Sequence, residues 1–337
     1  MRRLQRDVQD TLAWLRWGWR LNPQQGTYSR EHETMTAPNA PTHPAPVRPN
    51  VLAAHPLVSF FLIAFAFSWL MFVLGPLTYF GVLDLSDRLV GLVAILGLLG
   101  PSVAGFVVTG ATEGGAGVRR LLRRCVLWRV GIRWYLFALV VLPLVMVLGT
   151  LVRPGALASF DASALPFGLA YLGAFVLILA TGGPLFEEPG WRGTALPRVQ
   201  QLHGPLVGGL VLGALWALWH LPGFLIPSQN LSDIPPRGTV MDFVRFAIAL
   251  IALAYIIQWV FNSTGGSVLL ATLTHASWNT FYSASLIGIF PAPAVMGSYL
   301  NLLIGGWALA LVLIVLTRGR LGYRAETDTP PSAPRVR

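Results

Sequence analysis

Phe186-Glu187-Glu188-Pro189-Gly190-Trp191-Arg192-Gly193 puts two adjacent carboxylates and an arginine at the end of a run, Pro166 to Phe186, that is otherwise free of charge. From Trp134 onward the chain is largely apolar, so an acid pair at this point needs a physical reason. Charged groups cost several kcal/mol in hydrocarbon unless they are paired or wetted. An ionisable cluster inside a membrane segment is therefore a candidate functional site, to be weighed against its surroundings.

Of the 337 residues, 54% are hydrophobic and only 11% charged. A soluble domain carries about 25% charged residues, so the composition is that of an integral membrane protein. The net charge of +10 comes wholly from arginine, because the sequence has no lysine. The arginines lie between apolar runs, where the positive-inside rule accounts for them. They form no basic stripe with interleaved aromatics on a soluble segment, which argues against a nucleic-acid partner. Cys125 is the single cysteine, which excludes an intramolecular disulfide and a thiolate metal cluster.

A spanning helix needs about 20 apolar residues. Runs near 57–80, 89–111, 134–152, 166–186, 205–226, 243–262, 266–290 and 296–316 meet that need. The expected fold is all-α, a polytopic membrane bundle of about eight transmembrane helices. It would occupy residues 51–317, between a polar N-terminal tail of residues 1–50 and a C-terminal tail of residues 318–337. Arg2 to Arg20 sets Leu4, Val8, Leu12, Leu15 and Trp19 among arginines, so it reads as an interfacial helix or an unstructured tail. Thr36 to Pro49 is a Pro-rich linker. Small residues in the second run (Gly100, Ala104, Gly105, Gly110) and the fifth (Gly208, Gly209, Gly213) would let helices pack closely.

Orientation follows from the loops. Arg119, Arg120, Arg123, Arg124, Arg129 and Arg133, then Arg192 and Arg198, then Arg318, Arg320 and Arg324 all fall on one side of such a bundle. The opposite loops and their edges hold only Arg88, Arg153, Arg237 and Arg245. The arginine-rich side and both termini are therefore expected to be cytoplasmic, in a multi-pass protein of the cell membrane.

Three polar groups within the spans carry chemistry. Glu188 and Arg192 are four apart and face each other on a helix, which leaves Glu187 one position round without that partner. A carboxylate so placed is a candidate general base, although the cluster alone also fits a structural charge group at a helix end. His220 sits late in the fifth run between tryptophans and a proline, where a hydrogen-bonded structural histidine is the duller reading. His275 and Asn279 share one face of the seventh, a pair that could bind a metal, orient water, stabilise an oxyanion, or simply join two helices. Of the six histidines, only His220 and His275 lie in these runs, and both follow the acid pair.

Taken together, Glu187-Glu188-x-x-Trp191-Arg192-Gly193, a histidine near the end of the next span, and His275-x-x-x-Asn279 resemble the CPBP intramembrane protease family. That family contains the type II CAAX prenyl endopeptidases and many Abi-like proteins. The resemblance covers about residues 57–317, with Trp216 where the second motif usually has Phe. It implies a membrane peptidase opening toward the cytoplasm and acting on a peptide or membrane-protein substrate. Glu187 would activate water with His220 assisting, His275 and Asn279 would stabilise the oxyanion, and Glu188 and Arg192 would brace the motif. A metal-free mechanism is favoured. The alternatives are a zinc ion held by His220 and His275, or a non-catalytic immunity or accessory protein of the same fold. A transporter using Glu187 as a proton site is disfavoured by the lack of internal repeats.

The simple span boundaries raise a difficulty. His220 would lie about 22 Å along the fifth span and His275 about 14 Å along the seventh at roughly 1.5 Å per residue. Glu187, at the very end of the fourth, would then reach neither. Assembly requires the fourth helix to end deep and the fifth to begin beneath the surface. Pro189, which removes one helical hydrogen bond, should kink the chain there.

Overall fold

The structure is a computed structural model, and it describes residues 50–161, 163, 168–226, 238–281, 290 and 300–324. Residues 1–49 of the N-terminal tail, most of the last part of the seventh run, the start of the eighth and the end of the C-terminal tail lie outside the described residues. Among the described residues the regular structure is entirely helical. The principal helices are α1 (Pro56–Phe72), α2 (Asp87–Gly97), α3 (Gly100–Cys125), α4 (Leu142–Leu151), α5 (Gly168–Thr181), α6 (Pro184–Gly190), α7 (Leu196–Trp219), α8 (Val240–Ser263), α9 (Val268–Thr280) and α10 (Leu300–Leu316).

Among the described residues, five helical stretches are long and apolar enough to cross a membrane: Pro56–Tyr79, Asp87–Cys125, Ile132–Leu151, Pro184–Trp219 and Val240–Ser263. Tyr171–Thr181 and Leu302–Leu316 are apolar but shorter. The protein is a polytopic membrane bundle. Leu62, Leu70, Leu144, Val176 and Val315 leave large apolar side chains on the outside, as a bilayer-facing surface requires.

The boundary between the fourth and fifth expected spans is corrected. The fourth helix stops at Thr181, and a turn through Gly182-Gly183 follows, with Gly183 at φ 99°, a conformation that favours glycine. Pro184 then starts a new helix, where its missing N–H costs nothing. The acid pair thus opens this helix instead of closing the previous one. The ladder passes through a π turn at Trp191–Ala195 and continues as α7. Pro189 has no N–H to give Leu185, and the π turn follows directly beyond it.

α7 is itself broken at Gly204 (φ 71°, ψ 172°). There the chain reverses, because a Cβ on Gly208 would lie 3.2 Å from the Cα of Gln200. The two arms are therefore antiparallel. Gly209 packs under Tyr255 and Gln258, and Gly213 under Ile251 and Ala254, so the small residues of this run seat α7 on α8 as the sequence indicated. The amide network that pins the hairpin has no counterpart in the sequence reading. Gln258 Nε2 donates to Gln200 Oε1 (2.9 Å) and to the Pro205 carbonyl (2.8 Å). Asn262 Nδ2 donates to Gln200 Oε1 (2.7 Å) and to the Leu321 carbonyl (3.0 Å).

The face of α3 does the same for the other arm. Gly105 lies against Gly190 and Thr194, and a Cβ on Gly190 would run into the carbonyl of Pro101. Because the obstacle is backbone, Gly190→Ala is expected to destabilise by about 1–3 kcal/mol. Gly91→Ala, with nothing within 4 Å of the new Cβ, should be close to neutral. Thermal unfolding of the two purified variants in detergent checks the contrast.

Candidate active site

The chain reversal at Gly204 removes the depth difficulty. Glu187 and His220 stand about equally far from Gly204 along antiparallel arms, so they come level with each other. Trp216 shows this directly, since its indole N–H donates to Glu187 Oε2 at 2.7 Å. α9 supplies the opposite wall, with His275 Nδ1 2.9 Å from Glu188 Oε1. The structure therefore joins residues from three segments that the simple span boundaries held apart.

The two carboxylates have different partners. Glu188 Oε1 accepts from Arg192 Nη1 at 2.8 Å and also faces His275 Nδ1. Glu188 and Arg192 are both fully buried. The guanidinium also lies over the Trp216 ring, with Cζ 4.2 Å from its centroid. Arg192 was grouped with the loop arginines by the charge pattern, and its burial corrects that reading. It belongs to the site and not to the surface.

Glu187 is also buried, but its partner is the indole of Trp216, so it is not left unpartnered as helical spacing alone suggested. Its other oxygen, Oε1, makes no hydrogen bond among the described residues and rests against Gly183, where any Cβ would collide with it. Gly183 is thus needed twice, for its positive φ and for the space it leaves.

Asn279 Nδ2 lies 3.2 Å from His275 Nε2, across one turn of α9. With Glu188 accepting from Nδ1–H, Nε2 accepts from the Asn279 amide, and the ring is fixed at both nitrogens. His220 Nδ1 faces the Trp216 carbonyl at 2.8 Å, and its ring meets Trp219 and Phe246 edge-on at 4.8 and 5.0 Å. A wall of buried aromatics holds these elements. Trp191 touches Phe60 and Trp219, and Trp219 touches Phe72, each edge to face. Each such pair contributes about 0.5–1.5 kcal/mol beyond its burial.

Trp216 is the functional residue that sequence reasoning undervalued. Its place one helical turn before His220 was visible, and its N–H directed at Glu187 was not.

Residues 169–281 match the family model described as type II CAAX prenyl endopeptidase Rce1-like. The matched stretch contains the acid pair, His220, His275 and Asn279. This stretch is similar to CPBP-family proteases, in line with the resemblance its motifs carry. A 101-residue segment is 28% identical to CAAX prenyl protease 2 of Methanococcus maripaludis, covering 30% of this chain. That segment spans 36% of the relative's length. Within the matched stretch the acid pair lies on α6, His220 at the end of α7, and His275 with Asn279 on α9.

Proposed function

We propose that this chain is an intramembrane endopeptidase that hydrolyses a peptide bond near the cytoplasmic face, using a water activated by Glu187. The observation that carries the reading is the division of labour between the carboxylates. Glu188 is occupied by a guanidinium and an imidazole, whereas Glu187 is anchored at one oxygen and, among the described residues, unbonded at the other.

In this reading Glu187 Oε1 takes a proton from water as the oxygen attacks the scissile carbonyl. The Asn279 amide, held by His275 Nε2 through one N–H, donates the other to the resulting oxyanion. Glu187 then returns the proton to the leaving amine, with His220 assisting. Glu188 holds the His275 ring from behind, which keeps the ring's orientation fixed while charge develops.

The donor set supports the metal-free form. A zinc ion on His275 would have to displace either Glu188 from Nδ1 or Asn279 from Nε2. It would also compete with Arg192 for Glu188. The substrate is a peptide or membrane protein, and the arginine-rich end faces the cytoplasm.

The test is cleavage of a peptide library by the purified chain in liposomes, with and without a chelator. Cleavage that persists under chelation is the expected result. No cleavage of any substrate would overturn the protease reading, and loss under chelation restored by Zn²⁺ would overturn the metal-free mechanism. In the same assay Trp216→Phe keeps a ring over Arg192 but removes the N–H from Glu187. A hydrogen bond to a charged group is worth about 1.5–3 kcal/mol, so the thermal midpoint is expected to fall, and turnover per folded molecule to fall with it as Glu187 loses its anchor.

A further inference from the structure

The arginine-rich end of the bundle holds two adjoining cavities that the proposed chemistry does not use. One, of about 350 Å³, is lined by Glu113, Arg120, Arg124, Arg198 and Gln201 among others. The other, of about 520 Å³, lies between Arg124, Gln200, Asn262, the Gly265-Gly266 turn and the Gly322 to Arg324 stretch. Arg124 lines both.

The charges around the smaller cavity do not balance. Glu113 is its single carboxylate, and it is clamped by Arg120 at 2.7 Å and by Arg198 at 2.6 Å. Arg198 is further fixed by the Thr194 carbonyl (2.9 Å) and the Thr112 hydroxyl (3.3 Å). Arg124 is half-buried, and its guanidinium has no hydrogen bond or ion pair among the described residues. Gly266, at φ 81°, leaves room for it, since a Cβ there would lie 3.4 Å from Arg124 Nε. An arginine held inward with no carboxylate bonded to it among the described residues, beside two more that share Glu113, is a preformed anion site.

We infer that these cavities bind a phosphate group, and that its source is the headgroup of an anionic membrane lipid. The location favours lipid over free phosphate. The larger cavity lies among chain reversals, next to the end of α8 at Ser263 and the turn that follows α10. Those helix ends mark the level at which hydrocarbon gives way to headgroups. Basic pockets between transmembrane helices at that level suit phosphate-bearing lipids.

Native mass spectrometry of the full chain in detergent tests the inference, with phosphatidylglycerol or phosphatidylcholine added. Wild type is expected to retain phosphatidylglycerol in preference to phosphatidylcholine. Arg124→Gln should reduce that retention about fivefold, the factor for one arginine near an anionic headgroup. Arg123→Gln, an exposed neighbour that lines neither cavity, should leave it unchanged. Equal retention of the two lipids would overturn the proposal, as would an equal loss in both variants, which marks diffuse surface charge. A thermal-shift titration with inorganic phosphate separates the sources. Arg124-dependent stabilisation by phosphate without selective lipid retention would overturn the lipid assignment. Should Arg124→Gln fail to fold, Arg120→Gln, on an exposed side chain, is expected to give the same selective loss.

Discussion

Glu187→Gln is expected to lower peptide cleavage by at least about 10²-fold, toward the 10⁴-fold that a positioned general base contributes. The change is isosteric, and the amide oxygen can still accept from Trp216 N–H, so the site keeps its shape. What is lost is the ability of the second oxygen to take a proton. Glu188→Gln behaves differently, because it removes the charge that Arg192 and His275 both face. Its main signature should be a lower thermal midpoint, with activity per folded molecule falling less than in Glu187→Gln because only the support of His275 is weakened. Activity per folded molecule and thermal unfolding, measured on both variants, separate a base from a brace. Full activity in Glu187→Gln would remove Glu187 from the chemistry, and a large stability loss there would make it the structural member of the pair.

How much of this was legible in the sequence differs between its parts. The all-helical membrane class follows from apolar runs and scarce charge, because a bilayer leaves the backbone few other ways to satisfy its hydrogen bonds. Glu187, Glu188, His220, His275 and Asn279 stand out in the sequence because so few polar groups interrupt those runs. The Glu188–Arg192 pair was legible from helical spacing and is present at 2.8 Å. The boundary around Gly182-Gly183 was not, because glycines are common inside membrane helices and hydropathy does not register a φ of 99°. The reversal at Gly204 was hidden for the same reason, and with it the fact that Glu187 and His220 lie level. Spacing along a chain gives depth only where the helix is unbroken. The Gln200–Gln258–Asn262 network was illegible because it is a meeting of separate helices, which one sequence does not encode as a pattern.

Arg192→Ala should have the largest effect on stability of any change at the site. It removes the cation bonded to a fully buried carboxylate, and breaking such a pair from one side costs about 3–5 kcal/mol. An exposed pair gives the contrast. Arg245 lies 3.9 Å from Asp242 with its side chain partly in the open, and its removal should stay within about 1 kcal/mol. Arg192→Lys should recover only part of the loss. An ammonium can pair with Glu188, but it has no planar group to lie over Trp216.

The double variant Glu188→Gln/Arg192→Met should be more stable than Arg192→Ala, because neither charge is left stranded. Arg192 Nε and Nη2 and Glu188 Oε2 are buried without hydrogen-bond partners among the described residues, so this pair is a costly way to fill a core. Its value then lies in what it orients. Glu188 presents one oxygen to both Arg192 and His275, so the guanidinium fixes the carboxylate and the carboxylate fixes the imidazole. The double variant is therefore expected to fold and to cleave poorly. Thermal midpoints and turnover measured together decide it, and a double variant with wild-type turnover would leave the ion pair without a functional role.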